Sequence, residues 1–418
     1  MARVPAAVVR VRRLTQVAGA RIRNELRARD FADRAAANGM VPNGGIAVFF
    51  ATGPENLYQF DQWRRPLEHL AERLPVFVIT DRADTGERLL QNTSLPLAFA
   101  RGSAPLESLV EERDVRVVLY LNQVEANFRM LRFAAPVHIQ LGHGESDKGS
   151  SISNQHKAYD RTFVGGAAGS DRLSAALRDF DAEVRTVQIG RPQLDHEYPG
   201  APDWSRGSGL RVWYAPTWEG DRASIAYGSL ASHGLALVEA LIADPQIRVI
   251  YRPHPRTGTA SAAHAAVDRK VRDLLDGEGG RHLIDEGGYG WQWDFADACV
   301  TDISAVAYDW LATGKPLVIT DPDEPKAAWP ASPLLDTMPL LSSSDAGKIV
   351  DRLRDRGLGQ REDTRDPQLI ALANYYFGDT EERASSARFG AAIDRALEAA
   401  RPLGTRDRGG NPRRRRAP

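Results

Sequence analysis

The sequence predicts an α/β protein made of two Rossmann-like domains facing each other across a cleft. Three observations lead there. Short continuous apolar runs alternate with amphipathic segments, a Pro/Gly/Asp/Ser-rich stretch interrupts the alternation near mid-chain, and polar clusters directly follow the apolar runs. At 418 residues the chain also exceeds one ordinary core.

Residues 1–41 read as a basic amphipathic arm. Residues 1–29 hold eight arginines and one acid, Glu25, with Val4, Val8, Val11, Leu14, Val17 and Ile22 recurring at helical steps. Such a segment suits an anionic membrane surface, while arginine breaks the apolar stretch that a secretory signal needs. The first domain, 42–198, is expected to run through strands at "GGIAVFF" (44–50), "LPVFVIT" (74–80), "LPLAFA" (95–100), "VRVVLYL" (115–121), "PVHIQL" (136–141), "DRTFVG" (160–165) and "EVRTVQIG" (183–190), with helices such as "DQWRRPLEHLAERL" between them. The stretch 191–209 reads as a linker. The second domain, 205–378, repeats the alternation with strands at 210–216, 247–255, 281–285, 298–302 and 316–320 and helices at 234–244 and 261–276. A helix over 379–400 is expected to pack across both domains, and 401–418, with Arg413 to Arg416, reads as a basic disordered tail.

Composition narrows the function classes. No segment approaches eighteen unbroken apolar residues, so no membrane span is expected. The single cysteine, Cys299, sits in the apolar stretch "ADACVTD" and reads as packing in a reducing compartment. No nucleic-acid module accompanies the basic ends, so no nucleic-acid partner is expected. The protein is expected in the cytoplasm, peripheral on the inner face of the cell membrane.

Ligands of such sheets bind beyond the carboxyl ends of the strands, and four polar clusters stand there. In "LGHGESDKGSS", His143 lies between two glycines, followed by Glu145, Asp147 and Lys148. An imidazole there can take a proton from a hydroxyl near neutrality, with Glu145 or Asp147 orienting it. In "YRPHPR", prolines stiffen a loop carrying Arg252, His254 and Arg256, a good anion holder. In "VTDISAVAYDW", Ser304 and nearby N–H groups open a helix that favours phosphate, with Asp302 or Ser304 also able to cap it. "YAPTWEG" offers Pro216 and Thr217 on a tight loop, beside Trp213 and Trp218, one of which reads as core.

The ordered series "GHGESDK", "YDRTFVGG", "IGRPQLD", "VWYAPTWEG", "YRPHP", "TDISAVAYDWLATGKP" and "YYFGDTEERASSARF" resembles the CDP-glycerol glycerophosphotransferase family, which includes the teichoic acid polymerases, over residues 115–395. The resemblance implies the GT-B architecture and transfer of polyol phosphate from a CDP-activated polyol to an acceptor hydroxyl, with release of CMP. It implies catalytic roles for His143 and His254, and matches Thr301, Asp302 and Ser304 to a phosphate-binding motif. With Arg252 they make the expected donor-phosphate set, with Pro216 and Thr217 on the nucleotide and Gly144, Glu145, Asp147 and Lys148 on the acceptor side. The sequence departs from the family pattern at Gly142, where tryptophan is usual, at Glu145-Ser146-Asp147, where Thr-Pro-Leu is usual, and at Ala305, where a second serine is usual.

The expected acceptor is lipid-linked or polymeric, in teichoic acid, capsule or related envelope synthesis. No cofactor is required, although acidic residues near the cleft leave Mg²⁺ open. Two rivals stand beside this reading: a GT-B glycosyltransferase or sugar-nucleotide epimerase, and a non-catalytic membrane-associated assembly component.

Overall fold

A computed structural model describes residues 30–35, 40–204, 209–330, 332–360, 365–381 and 383–400. Most of the basic arm and the whole basic tail lie outside them. The end of the expected arm is a core element instead. Residues 30–35 are helical, and Phe31, fully buried, meets Phe99 edge-to-face at 5.2 Å.

Seven strands form the first sheet: β1 (Ile46–Phe49), β2 (Val76–Thr80), β3 (Leu97–Phe99), β4 (Val117–Tyr120), β5 (Val137–Gln140), β6 (Arg161–Val164) and β7 (Thr186–Gln188). Their order is β3-β2-β1-β4-β5-β6-β7, and every pairing is parallel. The second sheet holds β8 (Leu210–Ala215), β9 (Ile247–Tyr251), β10 (Leu283–Ile284), β11 (Ala298–Thr301) and β12 (Leu317–Ile319), parallel in the order β10-β9-β8-β11-β12.

Burial on both faces explains why the strands read as unbroken apolar runs. In β1, Ile46 and Val48 enter one core while Ala47 and Phe49 enter another across the sheet. In the second sheet Trp213, Ile250 and Cys299 face one layer, and Val212, Tyr214, Val249 and Tyr251 face the other. Cys299 is fully buried, and burial pushes its thiol well above the ordinary range, as packing requires. Residues 223–243 are apolar enough to qualify as a membrane span, but the regular helix is Leu230–Ala243. It buries Leu230, Leu237 and Leu241 in the second sheet's core.

The two halves are joined by more than a linker. Helix Pro367–Phe377 packs on helix Ala167–Ala176 of the first half, and helix Ala384–Ala399 returns to bury Phe389 and Ile393 in the first sheet's core. Burying two such side chains contributes roughly 1.5–3 kcal/mol each. The "GG" of "TFVGG" is needed for this crossing. A Cβ on Gly165 or Gly166 would come within 2.5 Å of Tyr376 O or 2.8 Å of Tyr375 O. The stretch 191–209 begins as buried structure, with Arg191 4% and Gln193 0% exposed. Arg191 N donates to Ser385 Oγ (3.0 Å), and Ser386 N donates to Asp195 Oδ2 (2.6 Å), so polar pairing does here what an apolar period does elsewhere.

Candidate active site

Each sheet changes direction between two adjacent strands, β1/β4 in the first and β8/β11 in the second, and the loops leaving those strands meet across a cleft of about 700 Å³. The first half contributes the loop after β4, the "GHGESDK" loop after β5, and one face of helix Leu57–Ala71 with Tyr58, Asp61 and Gln62. The second contributes Pro216, Thr217 and Trp218 after β8, Arg252 to Pro255 after β9, Tyr289, and Ser304 to Val306 after β11.

His143 and His254 line this same cleft from opposite halves. Tyr58 stands between them, its ring edge-on to both imidazoles, with centroids 5.9 Å from His143 and 5.2 Å from His254. The two rings nevertheless differ in chemistry. Burial pulls His143 down to about 4 against a hydrogen bond to the Leu121 backbone, with the positive charges of Arg191 and Lys148 adding to the fall. A ring kept neutral by burial carries one proton and has one nitrogen that accepts. His254 is pulled to about 3, by burial first and then by Lys148, His143, Arg256 and Arg252. Its Nδ1 accepts from Arg256 N (3.1 Å), so the neutral ring carries its proton on Nε2, as a donor.

Positive charge gathers around His254. Arg252 Nη1 donates to Asp285 Oδ2 (2.8 Å) and to Gly288 O (3.3 Å), which fixes the guanidinium at the cleft wall. Arg256 lies 3.6 Å above the Trp218 ring. Lys148 crosses from the first half to the Tyr227 ring of the second (5.1 Å), and burial lowers it to about 8 despite the pull of Asp302. Among the described residues it has no carboxylate in salt-bridge contact.

Several expected ligands do other work. Thr301 and Asp302 are fully buried and do not line the cleft. Thr301 Oγ1 donates to Ala215 O (2.7 Å). Asp302 accepts from Thr217 N (2.7 Å), from Ser229 N (3.3 Å) and Oγ, and from Thr320 Oγ1 (2.5 Å), so it anchors the Thr217 loop. Of that motif Ser304 reaches the cleft, with Thr301 Oγ1 3.1 Å from its hydroxyl. Glu145 and Asp147 do not orient His143: both carboxylates bind Arg172, Asp147 at 2.8 Å. Asp147 also accepts from Tyr376 OH, and Glu145 from Gly165 N (3.3 Å). The local sequence could not disclose these partners, which come from a later helix and the C-terminal crossing. Trp213 is core, whereas Trp218 lines the cleft.

Gly144 stands at a close contact between the halves. A Cβ there would lie 2.7 Å from the Cβ of Ala305. Nearby, Arg191 makes a buried two-point ion pair with Asp309, Nε to Oδ1 at 2.8 Å and Nη2 to Oδ2 at 3.0 Å, and Tyr289 OH donates to the same carboxylate (2.9 Å). Tyr58, Asp61, Arg191 and Asp309 were missed as site residues. The strand-end rule applied to β1 finds the first two, and the quoted "IGRPQLD" contains the third. Among the described residues, no group of three or more His, Cys, Asp or Glu side chains is placed to hold a metal ion.

Residues 203–326 match the family model of CDP-Glycerol:Poly(glycerophosphate) glycerophosphotransferase. That is the family the motif series resembles, and the matched range holds Arg252, His254 and Ser304 but not His143. A search of curated proteins gave no match. Among solved structures, the wall teichoic acid polymerase TagF with CDPG aligns at 11% identity over 95% of this chain and 99% of that one, with a TM-score of 0.57. A UDP-N-acetylglucosamine 2-epimerase from Listeria monocytogenes aligns at 13% identity over 86% and 98%, with a TM-score of 0.56. The S. aureus MnaA-UDP structure aligns at 13% over 84% and 96%, with a TM-score of 0.54. These likenesses place the fold as α/β and GT-B-like.

Proposed function

We propose that the protein transfers a polyol phosphate from a CDP-activated donor to an acceptor hydroxyl, releasing CMP, in the synthesis of a cell-envelope polymer. The observation that carries this reading is the facing of His143 and His254 across one cleft, with Lys148, Arg252 and Arg256 around the second ring. The family match over the half that holds His254 agrees with it.

In this mechanism the acceptor oxygen attacks the phosphorus that bears the polyol, and its proton passes to the free nitrogen of His143. The new P–O bond forms as the bond to the CMP oxygen breaks, and CMP leaves with the electron pair. His254 Nε2–H, Arg252 and Lys148 stabilise the charge growing on the leaving phosphate. A bound diphosphate brings negative charge beside both rings, which raises the basicity of His143 when it must accept a proton. Side chains supply the charge neutralisation in this mechanism, so turnover is expected to persist in EDTA. Sedimentation of the full chain with anionic vesicles, against a chain lacking residues 1–29, tests the expected membrane association.

The deciding experiment measures CMP release from CDP-glycerol and CDP-ribitol with candidate acceptors, using His143→Ala and His254→Ala as controls. Each substitution is expected to lower turnover by roughly 10²–10⁴-fold. Release of UDP or GDP from a nucleotide sugar, with no CMP from either CDP-polyol, assigns the cleft to the rival glycosyl chemistry. Full activity in both variants removes the mechanism.

A further inference from the structure

The loop that carries His254 is held at its far end by a side chain outside the cleft. Glu219 follows Trp218 in the loop after β8, is 7% exposed and does not line the cleft. Its carboxylate instead accepts three backbone N–H groups from the loop after β9: Gly258 N on Oε2 at 3.0 Å, and Ala260 N and Ser261 N on Oε1 at 2.7 and 2.9 Å. Gly258 makes that convergence possible. Its φ of +77° turns the chain back, and a Cβ there would lie 2.8 Å from the Cβ of Ala265. The same donors open helix Ala262–Asp276, where the macrodipole also favours an anion. Against its burial, the N–H groups of Ala260 and Gly258 hold the Glu219 carboxyl below the usual range, so it is ionised at neutral pH.

Between Glu219 and the imidazole the loop has little freedom. Pro253 and Pro255, each with a fixed φ, flank His254. Successive turns then tie each residue to the next: Arg256 N donates to His254 Nδ1 (3.1 Å), Thr257 N to His254 O (2.8 Å), and Thr259 N to Arg256 O (3.2 Å). Trp218 holds the same loop by its side chains, its ring stacked on His254 at 6.4 Å and 27°, with the Arg256 guanidinium 3.6 Å above it. Thr217, one residue earlier, is fixed by Asp302 through its N–H (2.7 Å). A chain of anchors therefore runs from the buried Asp302 through Thr217-Trp218-Glu219 to the cationic wall. We propose that Glu219 is a positioning residue: by gathering the N–H groups of residues 258, 260 and 261 it sets, with Trp218, where His254 Nε2–H and Arg256 point. What these groups face rests on the transferase reading above, whereas the hold of Glu219 on the ring rests on these contacts alone.

Long-range proton–nitrogen NMR spectra of the full chain with isotope-labelled histidine read the His254 tautomer, assigned with His254→Gln, and titration calorimetry reads CDP affinity. The wild type is expected to show one tautomer, with the proton on Nε2. Glu219→Ala is expected to give a mixture of tautomers at His254 and to weaken CDP binding at least tenfold. Charge alone works the other way, since removing a nearby carboxylate tightens the binding of an anion. Glu219→Gln, which keeps one acceptor oxygen, is expected to recover part of both effects and carries the test if Glu219→Ala does not fold. Asp221→Ala removes an exposed carboxylate outside this network and is expected to shift CDP affinity less than twofold. A mixed tautomer in the wild type, an unchanged tautomer or undiminished CDP binding in Glu219→Ala, or equal weakening in Asp221→Ala overturns the inference. So does a lower melting temperature with both readouts unchanged, the result for a residue that only caps the helix. Failure of the wild-type chain to bind CDP strikes the transferase reading instead, and the tautomer comparison still decides the role of Glu219.

Discussion

Removing one partner of the Arg191–Asp309 pair tests whether the relation between the two halves is held electrostatically. The side chains are 5% and 0% exposed and meet at 2.8 Å, where the attraction is about 6 kcal/mol at an effective dielectric of about 20, before desolvation is subtracted. Arg191→Met leaves the Asp309 carboxylate buried with, among the described residues, the Tyr289 hydroxyl as its remaining donor. That change is expected to cost about 3–5 kcal/mol, and Asp309→Leu, which strands the guanidinium beside Gln62 Oε1 (3.3 Å), a similar amount. The double variant Arg191→Met/Asp309→Leu removes both charges and is expected to be more stable than either single variant. Urea unfolding of the four proteins closes the cycle. A second readout separates positioning from simple stability: Arg191 depresses His143, so in Arg191→Met the His143 ring titrates above about 4 by NMR. Single substitutions costing less than 1 kcal/mol, or a double variant as unstable as the worse single, would refute the reasoning.

Three further outcomes follow from the same geometry. Gly144→Ala forces its new Cβ against Ala305 and is expected to raise KM for donor and lower kcat together, while Gly144→Ala/Ala305→Gly recovers both; failure of the pair to recover shows that the clash is not the cause. Asp302→Asn turns an amide N–H toward groups that donate, so it is expected to cost about 1–3 kcal/mol in urea unfolding and to weaken CDP binding through the Thr217 loop. Burial lowers His143, His156, His196 and His282 to about 4, and His254 further, so the unfolded chain takes up protons near 6.5 where the native chain does not. Stability is therefore expected to fall as pH drops from 6.5 to 5, and a urea midpoint unchanged across that window contradicts the buried neutral rings.

What could be read from the sequence was whatever one element decides alone. The runs "VRVVLYL" and "LRVWYAP" are apolar because both faces of β4 and β8 are covered, and the residues just past such runs lie at the cleft because parallel strands end together. His143, Arg252 and His254 were legible on that ground. Asp302 and Asp147 look the same in the sequence as cleft carboxylates, yet Thr320 and Ser229 claim one while Arg172 and Tyr376 claim the other. Those partners come from other elements, and no local spacing encodes them. The same limit hid Arg191, whose partner Asp309 lies 118 residues away.

Burial, more than motif, then divides the labour between the two histidines. Both are short-range signals of the same type, and both are kept neutral by desolvation. His254 has its Nδ1 occupied by Arg256 N and stands among cations, so a proton arriving there is repelled and the ring is left to donate from Nε2. His143 is kept neutral with no such backbone N–H at either nitrogen among the described residues, and a neutral imidazole has one nitrogen that accepts a proton from a hydroxyl. A base and a proton donor facing each other across one cleft is the arrangement that hydroxyl attack on a diphosphate requires.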